Sequence, residues 1–259
     1  MSDVEVVQDG PVLRLTINRE PARNALSVAV LQALLDGVTG AAADERTRVV
    51  LVSSVGERVF CAGADLAVMA DDATGLERHE GRGLLVKLVV AMRGCPVPVV
   101  ARVQGICLAG GLGLAMGCDI VLARDSATFG LPEVDRGLWP FMVGALLARH
   151  VSPKHALDWM LTGERFDAAT AYQLGLVSRV YDAESFDPDV EAYVQRLAAA
   201  PPVAVRLGKG AWIAASETSS LPVALEAMQA QLSLVTTTAD AAEGISAFFD
   251  KRPPRWTGR

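Results

Sequence analysis

Two short runs of small residues, Ala62-Gly63-Ala64-Asp65-Leu66 and Ala109-Gly110-Gly111-Leu112-Gly113, each follow an apolar stretch of strand character, Arg48 to Ser53 before the first and Val97 to Val103 before the second. Side chains this small let two stretches of backbone approach closely. A turn that passes from strand into helix leaves the first amide N–H groups without intrahelical partners, at the positive end of the helix dipole. Two such junctions favour a fold that brings strand ends and helix starts to a common edge. Two amides converging there would stabilise an oxygen that gains negative charge during a reaction. Taken singly, each run also reads as a tight turn and nothing more.

Around these runs, short apolar segments alternate with helical ones. Val49 to Ser53, Val99 to Val103 and Ile120 to Ala123 are continuous rather than alternating, which predicts a mostly parallel sheet buried on both faces. Val4 to Val7 and Val12 to Ile17 flank Asp9-Gly10, a hairpin signal, and Ser27 is placed to cap a helix reaching to about Ala42. Asp71 to Gly83 is polar and precedes an apolar helix, Leu84 to Met92. It reads equally as a flap beside the first small-residue run or as a solvated loop, and the sequence leaves open whether Asp72, Glu77 or Glu80 on it reaches a substrate. Beyond about Ser178 the pattern is wholly helical, with helix starts at Asp187-Pro188 and Pro201-Pro202 and a capping box at Asp240 to Glu243. Helices such as Leu221 to Leu234 hold too little sequence for a core of their own and are expected to pack on something else.

With 51% hydrophobic and 21% charged residues among 259, the chain can bury one large α/β core. A formal net charge of −6 argues against a general nucleic-acid binder, which needs a basic face to neutralise phosphates, but leaves room for a local basic site for a phosphorylated small molecule. No apolar run reaches the roughly 18 residues of a membrane helix, and Met1-Ser2-Asp3-Val4-Glu5 lacks a basic-then-apolar targeting pattern, so a cytoplasmic protein is expected. Cys61, Cys95, Cys107 and Cys118 form no CxxC pair, and His79, His150 and His155 lack ligand spacing; buried reduced thiols and no metal are expected. A dinucleotide fingerprint at Gly111-Leu112-Gly113 fails at its third glycine, where Met116 stands, and there is neither a GxxxxGK phosphate loop nor a GxSxG elbow.

With Asp119-Ile120-Val121-Leu122-Ala123 and Ala127-Thr128-Phe129-Gly130-Leu131-Pro132-Glu133 behind them, the two runs resemble the enoyl-CoA hydratase/isomerase (crotonase) superfamily in order and spacing. The likeness extends from Pro21-Ala22-Arg23-Asn24-Ala25-Leu26 to Phe248-Phe249-Asp250-Lys251-Arg252-Pro253. It implies an α/β fold, a crotonase-like spiral of repeated ββα units, with the acyl-CoA site in residues 1–190 and a helical C-terminal region, 191–259, that builds a homotrimer or dimer of trimers. It implies no cofactor beyond the CoA moiety of the substrate. By the same resemblance the amides of Ala64 and Gly110 hold the thioester oxygen, and Glu133, fourteen positions after Asp119, carries the proton. Arg23, Ala62, Ala64, Asp65 and Leu66 would hold the coenzyme, joined by Phe248 and Lys251 from a neighbouring subunit.

The sequence departs from the family at a position that bears on the reaction. Hydrating members commonly carry a second glutamate three residues after the oxyanion glycine, where this chain has Gly113. Phe141 replaces the aspartate of halogen-displacing relatives, and Asp135 is a second acid of undetermined direction. One glutamate suffices to move a proton along an enoyl chain. Double-bond isomerisation is therefore expected slightly ahead of hydration, with a non-catalytic acyl-CoA-binding protein as a third reading.

Overall fold

The computed structural model describes residues 2–65 and 74–259. The chain opens with the hairpin β1 (Val4–Asp9) and β2 (Val12–Ile17), turned by Gly10 at φ 54°, a conformation glycine adopts without steric penalty. α1 (Val28–Ala43) follows, its N-terminus capped by the Ser27 side chain, which accepts from Val30 N at 3.2 Å. Next come β3 (Val49–Ser54), β4 (Val59–Cys61), α2 (Gly75–Gly94), β5 (Val99–Val103), β6 (Ile106–Leu108), α3 (Gly110–Gly117), β7 (Ile120–Arg124) and β8 (Thr128–Gly130). The remainder is α4 (Phe141–Leu147), α5 (Pro153–Thr162), β9 (Arg165–Asp167), α6 (Ala168–Gln173), β10 (Arg179–Tyr181), α7 (Phe186–Ala198), α8 (Pro202–Glu217), α9 (Leu221–Val235) and α10 (Ala239–Phe249).

Strands are dealt alternately to two sheets. β3, β5 and β7 enter a six-stranded sheet of order β1-β2-β3-β5-β7-β10, parallel except for the β1/β2 hairpin; β4, β6 and β8 enter a four-stranded sheet of order β4-β6-β8-β9. Each step of the resulting ββα spiral sets one long strand, one short strand and then a helix beside the previous three.

The large sheet is covered on both faces, which is why its strands read as unbroken apolar runs. On one side Leu34, Leu88 and Met92 join the main core; on the other, Phe186, Val190 and Val194 of α7 pack on Val12, Val49, Leu51, Val100 and Leu122. The expected boundary at 190/191 thus falls inside α7. Among the described residues no helix is long and apolar enough to cross a membrane.

The structure corrects the sequence reading at several points. The polar segment before Leu84 is helical from Gly75: Thr74 and Glu77 form a reciprocal capping box, with Thr74 N donating to Glu77 Oε2 at 2.8 Å. Residues 71–73 of that segment lie outside the described residues. The chain after Ser178 is not wholly helical, because β10 adds to β7. The last helix is capped by Thr238, whose hydroxyl accepts from Ala241 N at 3.1 Å; Asp240 is instead buried, accepting from Thr257 N and Gly258 N of the C-terminal tail.

Candidate active site

β4 and β6 run parallel with Cys61 opposite Cys107, and the two small-residue runs leave the sheet side by side from their ends. Their convergence is close. A Cβ built on Gly110 would lie 3.5 Å from Ala64 N, and one on Gly63 would lie 3.3 Å from Gly110 N and 2.7 Å from the Ala109 Cβ. Gly63 stands at φ 105°, a region that excludes ordinary L side chains.

Ala64 forms an isolated parallel bridge with Leu26, in which Leu26 N donates to Gly63 O at 2.8 Å and Asp65 N donates to Leu26 O at 3.1 Å. Because these bonds come from the residues on either side of Ala64, the N–H of Ala64 itself points away from Leu26. Gly110 is the first residue of α3 and has no intrahelical acceptor. Among the described residues, neither amide donates a hydrogen bond. Ala109, at φ 53° and ψ −128°, makes the twist that turns Gly110 toward Ala64, a conformation costing about 1–3 kcal/mol for a residue with a Cβ. It is held by its own N–H donating to Gly130 O at 2.9 Å and by Gly113 N donating to its carbonyl at 3.2 Å. Strained backbone presenting two unpaired amides is a suitable cradle for an oxyanion. Beneath it, Cys61 is fully buried, and burial pushes its thiol up to about 12, so it packs rather than reacts.

β8 pairs with β6, with Gly130 opposite Leu108, so the chain carrying Glu133 leaves the small sheet next to Ala109. Glu133 is half-buried, and its Oε2 is buried without a hydrogen-bond partner. Burial pushes the carboxyl above the ordinary glutamate range, opposed more weakly by a bond from its own backbone and by the charge of Arg136. A group whose proton is held more tightly in the folded protein adds stability that is complete below the unfolded pKa and is lost as pH rises through the folded value. Ionisation of this carboxyl therefore costs stability. Glu133→Gln is expected to melt at a higher temperature than the native protein at neutral pH, with the gain shrinking as pH falls; thermal melts across that range check it, and a lower melting temperature at neutral pH would contradict it.

One turn into α3, Gly113 is buried, and a Cβ there would lie 3.1 Å from Val143 Cγ2 and 4.0 Å from Leu85 Cδ2. A side chain at this position would start against Val143 of α4, which would have to give by a few tenths of an ångström, with Leu85 of α2 at ordinary contact distance. Asp135 is exposed, its carboxylate oxygens lying 3.3 and 3.4 Å from where a Gly163 Cβ would stand, over the turn between α5 and β9.

Arg23 is exposed, and its carbonyl accepts from Ala62 N at 3.2 Å, so it backs directly onto the first turn. The Asp65 carboxylate receives Arg19 at 2.9 Å. Leu66 lies outside the described residues. Phe248 and Lys251 are exposed at the end of α10; no hydrogen bond, ion pair or ring contact among the described residues joins them to Arg23 or Ala64 in one chain. Three contributors were not singled out from sequence: Arg19, Ala109 and Val143. The backbone strain of Ala109 leaves no mark in its residue type, and the other two act on segments distant in the chain.

Residues 8–259 match the family described as Enoyl-CoA hydratase/isomerase. The chain belongs to this family. It is 35% identical to the 2,3-dehydroadipyl-CoA hydratase of Escherichia coli K12 over the whole of both chains, and 34% identical to the crotonyl-CoA hydratase of Syntrophomonas wolfei over 92% of this chain and 91% of that one. The crystal structure of an enoyl-CoA hydratase from Bacillus anthracis superposes with a TM-score of 0.93 at 30% identity, covering 99% of this chain and 100% of that one. These comparisons establish the crotonase fold, and as an enoyl-CoA hydratase/isomerase family member the protein is an enzyme acting on acyl-CoA.

Proposed function

We propose that the enzyme shifts the double bond of an enoyl-CoA by moving one proton along the acyl chain. Glu133 takes a proton from C2 of a 3-enoyl thioester, the electron pair spreads over the conjugated carbons onto the thioester oxygen, the amides of Ala64 and Gly110 hold that charge, and the same carboxyl returns the proton at C4. The reading rests on one observation: Glu133 has a buried oxygen without a partner, while the position for a second carboxylate is held by Gly113, packed against Val143.

The coenzyme is assigned to Ala62, Ala64, Asp65 and Leu66 along the first turn, with its phosphates and adenine near Arg23 and near Phe248 and Lys251 of a neighbouring subunit, and with no cofactor beyond the CoA moiety. Exposed Trp212, Leu221, Leu225, Leu232 and Phe248 on the C-terminal helices support burial between subunits, which we assign to a homotrimer or dimer of trimers; the proposed location is the cytoplasm. Light scattering at micromolar concentration is expected to return three or six chains per particle; a monomer would remove the basis for a coenzyme site shared between subunits.

Hydration is the second reading, favoured by the names of the Escherichia coli and Syntrophomonas relatives. Incubation with matched 2-enoyl-CoA and 3-enoyl-CoA, followed by mass analysis, separates the two: unchanged mass with a moved double bond marks isomerisation, and gain of one water marks hydration. A native enzyme that hydrates the 2-enoyl ester faster than it isomerises the 3-enoyl ester ends the first reading. If it does isomerise, Gly113→Glu alone is expected to gain no hydration, because its side chain starts against Val143. The double variant Gly113→Glu/Val143→Gly is expected to raise the ratio of hydrated to isomerised product by about tenfold or more. The same product assay checks it, and an unchanged ratio in the folded double variant would show that the missing carboxylate does not set the reaction.

A further inference from the structure

The N–H of Ala64 is aimed only as well as the backbone that carries it, and that backbone is fixed to its neighbour by the two hydrogen bonds of the Leu26 bridge. Arg19 holds both sides of the bridge. Its Nη1 donates to Ala25 O at 2.8 Å, one residue before Leu26, and its Nη2 donates to Asp65 Oδ2 at 2.9 Å, one residue after Ala64. The two ends of one planar guanidinium thus span the bridge at a set separation, a fork that an ammonium group lacks.

Arg19 is itself fixed. Its Nε faces Asp3 Oδ2 at 3.3 Å, its backbone N–H donates to Asn24 Oδ1 at 3.0 Å, and its carbonyl accepts from Ala22 N and Asn24 N. Asn24 is fully buried at φ 51°, and its Nδ2 donates to Val55 O and Val59 O, anchoring the loop to the segment that leads into β4. The Arg19 and Asp65 side chains are only 20% and 16% exposed, so their pairing is little screened by solvent.

We propose that Arg19 is a positioning residue for the oxyanion hole: by clamping the Leu26–Ala64 bridge from both sides it aims the Ala64 N–H at the thioester oxygen. This rests on the reading of Ala64 and Gly110 as the oxygen's site. A donor displaced by a fraction of an ångström still permits binding but polarises the carbonyl less, and the loss falls on turnover more than on affinity.

The test uses 4-(dimethylamino)cinnamoyl-CoA, a conjugated thioester whose absorption moves to longer wavelength as its carbonyl is polarised. It is added at saturation to the native enzyme and to the Arg19→Met, Arg19→Lys and Asp65→Asn variants, with kcat and KM measured alongside on an enoyl-CoA substrate. The native enzyme is expected to shift the band strongly. Arg19→Met is expected to lose most of that shift and about tenfold in kcat with little change in KM, Arg19→Lys to recover part of it, and Asp65→Asn, which keeps the bond to Ala25 O, to lose less than Arg19→Met. A bound probe that shows no shift in the native enzyme overturns the oxyanion-site reading and this proposal with it. A native shift that persists undiminished in folded, probe-binding Arg19→Met and Asp65→Asn overturns the role of Arg19 alone. Should Arg19→Met fail to fold, the near-isosteric Asp65→Asn decides, and an undiminished shift there has the same force.

Discussion

Glu133→Gln is expected to lower turnover by about a hundredfold to ten-thousandfold, the range spanned by general acid–base catalysis, while acyl-CoA affinity stays within a small factor of native. The amide has the shape of the carboxyl but cannot take and return a proton. Neither Asp135 nor position 113 is placed to substitute: Asp135 lies over Gly163, and Gly113 has no side chain. Steady-state rates with a 3-enoyl-CoA and calorimetry with a non-reacting acyl-CoA separate the two effects. Native turnover in the variant would end the role proposed for Glu133, whichever reaction the enzyme performs. The higher melting temperature expected of the same variant at neutral pH makes the pair of results informative, since loss of activity together with gain of stability is not the signature of a damaged fold.

Gly63→Ala is expected to lower kcat/KM by about a hundredfold to a thousandfold, as loss of an oxyanion donor does. The added methyl meets two obstacles. At φ 105° an L side chain is strained, and its Cβ would stand 2.7 Å from that of Ala109, so the two turns must separate and the amides of Ala64 and Gly110 with them. Adding Ala109→Gly removes the shortest contact and eases the strained residue before Gly110, so the double variant is expected to recover part of the lost rate and not all of it, because Leu108 O at 3.2 Å and Gly110 N at 3.3 Å remain and φ at position 63 is unchanged. Kinetics of the single and double variants, with circular dichroism to confirm folding, provide the check. Native kcat/KM in Gly63→Ala would mean that the approach of the two turns does not matter to the reaction.

How much of this was readable beforehand depends on the range of the signal. β3, β5 and β7 were visible because burial on both faces leaves continuous apolar runs, and both turns were visible because glycines and alanines stand where backbones approach. β4, β6, β8 and β10 have three residues each, too few to show a period. The first turn of α2 was hidden by its polar and glycine-rich composition, although Thr74 and Glu77 stood at capping-box spacing. The position of Gly113 announced a missing carboxylate, but not that Val143, thirty residues on, packs against it. Arg19 and Asp65, forty-six residues apart, gave no local sign of meeting.

Lys209 on α8 has a bearing on the order in which a new chain matures. Its ammonium donates to Met92 O at 3.0 Å, to Val97 O at 3.1 Å and to Asp119 Oδ2 at 2.6 Å, while Asp119 also accepts from Val99 N at 2.7 Å. The socket is built from the end of α2, the entry to β5 and the residue before β7, and it exists only once those strands have paired. A mostly buried cation cannot be seated before its acceptors are assembled. The α8/α9 hairpin can therefore dock through this socket only on a core whose β5 and β7 have paired, so the seat of its apolar outer faces depends on the large sheet as well as on the helices themselves.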